Sequence, residues 1–176
     1  MIQMQRYSAL LYTVQAGQGK FGRVGHTLIQ KLFYLLIYGK NVPLGYKFKL
    51  YYYGPYCAEI WGDLNTIKDY GLISIQPKPD GFGYDIAPGN KTWPSLKEFA
   101  SAIAPKIDEL LDLLGGQHVR MLEVLATTHY VYTDWKKRDF EPSPDSVAES
   151  VVALKPHLTV EEAKQALALL KREKLC

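Results

Sequence analysis

Apolar residues at Tyr7, Leu10, Leu11 and Val14 fall at i, i+3, i+4 and i+7, the stripe of a helix that ends before the AGQG segment of residues 16–19. From His26 to Tyr38 the chain is apolar around most of a helical circumference, leaving Thr27, Gln30, Lys31, Tyr34 and Tyr38 as one narrow polar stripe. That helix is expected to be central. After Gly39 and the NVPLG turn the period changes to two. Tyr46, Phe48, Leu50 and Tyr52 alternate with Lys47, Lys49, Tyr51 and Tyr53, the pattern of a half-buried strand with one apolar and one basic, aromatic face. Gly54-Pro55 breaks the strand, since proline cannot donate to a ladder but suits the first turn of a helix, so a helix is predicted from about Tyr56 to Tyr70.

LISIQ and FGYDIA flank PKPDG and predict a hairpin around Asp80-Gly81. With the strand from Tyr46 to Tyr53 it is expected to form a three-stranded antiparallel sheet, burying Phe48 and Leu50 against the His26–Tyr38 helix. Ser95 with Glu98 is a capping-box pattern opening a helix to Leu114, closed by Gly115-Gly116, and another covers about Gln117 to Tyr132. The charged DWKKRDFEPSPD segment reads as a connector. Ser143-Pro144 then opens a short helix through Leu154, and Thr159 with Glu162 caps a last helix from Val160 to Lys174. The expected fold is mainly α with a small three-stranded sheet, partly winged-helix-like. It is read as one domain over 1–176, with a core motif region at 24–90 and a helical part at 95–176.

Length and composition narrow the function classes. The chain has 176 residues, 47% of them hydrophobic, enough for one substantial core. Its longest mainly apolar run, Leu32–Ile37, is far short of the ~20 residues that span a bilayer. The N-terminus lacks a basic region followed by an uninterrupted apolar core, so a cytoplasmic location is the default expectation. Charge is polarised: residues 1–58 hold Arg6, Lys20, Arg23, Lys31, Lys40, Lys47 and Lys49 with no acid, and the remainder carries the other bases and all 18 acids. The basic half can face phosphates or an acidic protein, or be neutralised within the fold.

No catalytic constellation emerges. Gly17, Gly19 and Gly22 match GxGxxG, but a helix rather than a strand enters that loop, so it reads as a helix-to-helix connector. His26, His118, His129 and His157 show no metal-ligand spacing, and Cys57 and Cys176 are too few for a disulfide framework or a zinc site. No cofactor or metal is expected. The acid pairs Glu59/Asp63 and Asp108/Asp112 read as solvated helix faces. Lys47, Lys49, Tyr51 and Tyr53 carry three open readings: a stacking and phosphate-neutralising surface, a protein-docking face, or an edge guarded by lysines. A winged-helix DNA binder fits the element order, but the helix before the hairpin carries Glu59, Asp63 and Asp69 against Lys68, a poor charge for a groove.

Gln30-Lys31-Leu32 with Tyr34-Leu35, followed by GYKFKLYYYGPYCAEIWGDL from Gly45 to Leu64, resembles the signature of the Panacea domain, the SocA-type antitoxin family. LEVLATTHYVY and LKPHLTVEEAKQALALLK are more weakly similar to its C-terminal helices. Cys57 stands where the family often has Ser or Asp, and Trp61 where an aliphatic residue is usual. The resemblance implies a mainly helical, non-enzymatic domain of prokaryotes and phages that neutralises or delivers a toxin by binding it, with a DNA-binding regulator as the alternative. Carried over by position, its motif residues are Lys31, Tyr34, Tyr53, Gly54, Pro55, Tyr56 and Glu59. With Lys47, Lys49 and Tyr51 these make up the expected partner-binding surface, facing a protein first and DNA second, with no membrane contact.

Overall fold

Helix α2 (His26–Tyr38) buries its residues continuously from Leu28 to Leu36, because it is enclosed by helices and strands rather than by one neighbour. In the computed structural model, which describes residues 1–138 and 140–176 and the side chains of all of these except Leu96 and Lys97, the other elements are arranged around it. Helix α1 (Ile2–Phe21) and strand β1 (Val24–Gly25) precede it. A ribbon of β2 (Lys49–Tyr51) and β3 (Gly54–Tyr56) follows, then α3 (Ala58–Asp69), β4 (Ile73–Pro77) and β5 (Tyr84–Pro88). Helices α4 (Leu96–Ala100), α5 (Ala104–Leu114), α6 (Val119–Lys136), α7 (Pro144–Leu154) and α8 (Val160–Arg172) complete the chain. The buried apolar residues form one cluster from Tyr7 to Leu175.

The fold is mainly helical with a three-stranded antiparallel sheet, as the pattern predicts, but the sheet's membership differs. Its order is β1-β5-β4, with Val24 opposite Ile86 and Ile75 on that residue's other side. The Lys49–Tyr51 strand pairs instead with Gly54–Tyr56. The Gly-Pro pair therefore lies in a short strand and not in a helical turn, and α3 begins at Ala58. Pro55 is tolerated because its strand is an edge, where a missing N–H removes no bond to a third strand. The alternation itself holds from Tyr46 to Tyr51, with Lys47 and Lys49 exposed and Phe48 and Leu50 partly buried. Tyr52, expected on the apolar face, is exposed because the turn has begun there. The order α1, β1, α2, α3, β4, β5 with β1 on β5 follows the strand order of a winged helix in part, with the β2–β3 ribbon inserted ahead of α3.

Three helix boundaries also depart from expectation. Helix α1 runs through AGQG to Phe21, and Gly22, at φ +71°, closes it by donating its N–H to the Gln18 carbonyl. Gly17 is needed inside it, since a Cβ there would sit 2.7 Å from Val24 Cγ2. The glycine cluster is thus a helix end packed on β1. The helix expected from Ser95 to Leu114 is broken between α4 and α5, where Pro105 sits in the first turn of α5; its ring and missing N–H do not permit continuation from α4. Ser95 makes no side-chain cap bond. Helix α6 extends to Lys136, taking Trp135-Lys136 out of the connector. The caps at Ser143 and at Thr159/Glu162 form as predicted.

Charge polarity is partly spent within the fold. Arg6 pairs with Glu59 at 3.0 Å, Lys20 with Asp112 at 2.7 Å and Asp108 at 3.9 Å, and Lys40 with Glu109 at 2.7 Å. The acid pairs expected to be solvated are therefore ion-pair partners, although exposed pairs of this kind contribute only about 0–1 kcal/mol each. Among the described residues no helix is long and apolar enough to cross a membrane.

Candidate protein-docking site at the tyrosine turn

The ribbon ends in a turn whose three consecutive tyrosines, Tyr51, Tyr52 and Tyr53, are 60%, 75% and 64% exposed. Bulky aromatic side chains held this far into water are unusual for a surface with no partner. What holds the turn out is a set of polar side chains gripping its backbone from below. Lys31 Nζ on α2 donates to the Pro55 carbonyl at 2.9 Å. Lys155 Nζ, in the α7–α8 loop, donates to the carbonyls of both Tyr51 and Tyr52. Gln30 clamps Cys57 with its amide, accepting from the backbone N at 2.9 Å and donating to the carbonyl at 3.0 Å. Cys57, the residue before α3, makes no side-chain cap bond, and Gln30 from another helix fixes its backbone instead.

Gly54 makes the close approach possible. Its φ of +86° favours glycine, and a Cβ there would lie 3.0 Å from Thr127 Oγ1 and 3.6 Å from the Glu123 carbonyl, both on α6. Gly54→Ala is expected to cost about 1–2 kcal/mol for the left-handed conformation alone. Chemical denaturation checks this; an unchanged midpoint would mean that the ribbon is not seated on α6.

The sequence pattern puts Lys31 and Tyr34 on an exposed face, and the structure corrects their exposure, although Lys31 still lines the cleft beside the turn. Both are only 2% exposed, because the polar stripe of α2 faces α6 and the ribbon rather than solvent. Tyr34 donates to His129 Nδ1 at 3.0 Å and packs edge-on against Phe48 with ring centroids 5.5 Å apart. Burial pulls the Lys31 ammonium down to about 8, with Glu123 opposing and Lys155 adding to the fall. Burial likewise raises the Tyr34 hydroxyl. Gly54 and Pro55 are buried and Tyr56 half-buried, so these motif residues build the turn's support. Lys47 and Lys49 are exposed beside it. Glu59 is exposed but paired with Arg6.

Glu123, Lys155, His157 and Tyr52 were missed. Glu123 is buried, 3.9 Å from Lys155 Nζ and 3.0 Å from His157 Nε2. An acid inside the apolar run Leu122–Ala126 was the available signal, since a lone carboxylate there must find a cation. Aromatic contacts also lead away from the turn. Tyr51 meets Tyr52 at 5.1 Å and Tyr56 at 5.9 Å, Tyr56 meets His26 at 6.0 Å, and His26 meets Trp61 at 4.5 Å. Trp61 meets Tyr84 of the β4–β5 hairpin at 5.0 Å. A cleft of about 270 Å³ lies between the turn and the start of α2. Among the described residues no group of three or more His, Cys, Asp or Glu is placed to hold a metal ion. Compared with known proteins, the chain matches no protein-family model and no curated protein sequence.

Proposed function

We propose that this chain is a non-enzymatic protein-docking module of antitoxin type, and that its partner, a toxin, seats on the Tyr51–Tyr53 turn. The observation that supports this is the pairing of extreme aromatic exposure with a fixed backbone: buried lysines hold the carbonyls of the turn, so the tyrosines are pre-organised. Rigid aromatic anchors lose little entropy on binding and dominate interface energetics. Lys49 on the same ribbon and Lys47 just ahead of it, both exposed, favour an acidic partner surface and speed its approach. The antitoxin assignment rests on the Panacea-like motif; the docking surface rests on the geometry.

Co-expression with the protein encoded beside its gene tests the reading. Tyr51→Ala and Tyr53→Ala are each expected to weaken the complex by about 1–3 kcal/mol. The Lys47→Glu/Lys49→Glu double variant is expected to abolish protection of cells, with helicity and melting unchanged. Full protection by the folded lysine double variant and by the folded tyrosine variants would move the partner site away from the turn.

The winged-helix strand order supports a second reading, a DNA-binding regulator. Its α3 exposes Glu59 and Asp69 alongside Lys68, which opposes entry into a groove. Steeply salt-dependent duplex binding would favour this reading over the first.

A further inference from the structure

Beneath the tyrosine turn the protein carries an unbalanced charge. Lys31 and Lys155 are 2% and 7% exposed, and the buried carboxylate of Glu123 lies 3.9 Å from Lys155 and acts on Lys31 through its charge. Lys155 spends two donors on the Tyr51 and Tyr52 carbonyls. Lys31 spends one of its three donors on the Pro55 carbonyl. A buried ammonium without full compensation is costly, and an anion delivered to it gains strength from the low local dielectric. Lys31 lies at the foot of the 270 Å³ cleft, with Thr27 and Gln30 beside it and the rings of Tyr51, Tyr53 and Tyr56 as walls. Among the described residues no acid lines this cleft.

We propose that the cleft is the specificity pocket of the docking surface and receives a carboxylate side chain, Asp or Glu, from the partner's docking segment, with Lys31 as its counter-ion. This rests on the protein-docking reading above and adds the chemistry of the residue that is recognised. The tyrosine walls cover the side chain's methylenes and exclude water, while the ammonium takes the charge. Other charged or titratable groups around Lys31 are Glu123 on α6, Lys155 in the α7–α8 loop, His26 on α2 and the hydroxyls of Tyr51, Tyr53 and Tyr56. His26 is neutral near pH 7, since burial first, and then the Lys31 charge, hold it down to about 4.

The test titrates the isotope-labelled full chain with acetyl-Tyr-Glu-Tyr-amide and with its Gln counterpart, read by amide chemical shifts. The Glu peptide is expected to shift Thr27, Gly54 and Tyr56 and to bind at least about tenfold more tightly than the Gln peptide, the scale of one charge-assisted hydrogen bond. That preference is expected to vanish in Lys31→Met. In the unmodified protein it is expected to fall as pH rises above about 8, where Lys31 loses its proton, so the test stands even if Lys31→Met does not fold. Tyr53→Ala is expected to weaken both peptides and keep their ratio. Equal affinity for the two peptides, or a preference that survives Lys31→Met or high pH, overturns the pocket while leaving docking on the tyrosines intact. Absence of any shift at millimolar peptide also overturns it, and the tyrosine variants with the full partner then judge the docking reading separately.

Discussion

Glu123→Leu is expected to lower stability by about 3–5 kcal/mol at pH 7, because it leaves two buried ammoniums facing each other without their carboxylate. Glu123 accepts from His157 and lies 3.9 Å from Lys155, while Lys31 feels the charges of both Glu123 and Lys155. Leucine nearly matches glutamate in size, so packing loss is a minor part of the effect. The melting temperature should fall by about 10 °C or more. Adding Lys155→Met should return much of that loss, since replacing a buried pair by apolar residues is often neutral. The double variant separates stability from function, because without Lys155 the Tyr51 and Tyr52 carbonyls lose their donor and the turn loosens. Calorimetry and partner capture on the three proteins decide it. A cost under about 1 kcal/mol for Glu123→Leu would mean that the lysines are compensated elsewhere.

Acid should destabilise the protein between pH 6.5 and 4, before most carboxylates titrate. His129 is fully buried, and its two bonds define its tautomer: Nε2, 2.8 Å from the Leu175 carbonyl, must donate, so Nδ1 accepts from Tyr34. Burial, with help from Lys137 and against the Leu175 carbonyl, lowers it to about 4, and His26 is lowered similarly. In that window the unfolded chain binds protons that the folded chain refuses, so stability is full above pH 6.5 and falls as pH approaches 4. At about 1.4 kcal/mol per unit, His129 alone contributes about 3 kcal/mol to the loss. Glu162, held down to about 2 chiefly by Arg120, loses its stabilisation only below pH 4.5 and does not confuse the reading. Urea midpoints from pH 7 to 4.5 should show the slope reduced in His129→Gln, at a cost of about 1–3 kcal/mol at pH 7 for the altered hydrogen bonds. An identical slope in that variant would place the acid sensitivity elsewhere.

Local patterns in the sequence determined most of the secondary structure. The central helix from His26 to Tyr38, the hairpin around Asp80-Gly81 and the caps at Ser143 and Thr159 follow from side-chain period and from hydrogen bonds within a few residues, which a linear reading contains. So does the exposure of Lys47 and Lys49, since one strand's alternation assigns its faces. The tyrosine turn was legible as an unusual composition, and Gly54 and Pro55 as its corner.

Which strands pair, and what the polar stripe of α2 meets, were decided only by tertiary structure. Val24–Gly25 is too short to announce itself as a strand; it is one because β5 lies beside it and Gly17 lets α1 pack closely on Val24. Lys31 and Tyr34 look like surface residues on a helical wheel, yet α6 and the ribbon cover them, and each bonds a group far along the chain, 24 and 95 residues away. The burial of Glu123 and Lys155 likewise depends on contacts across α6, the α7–α8 loop and the tyrosine turn. A buried charge is affordable only when its partner arrives in space, and separation along the chain carries no record of that meeting.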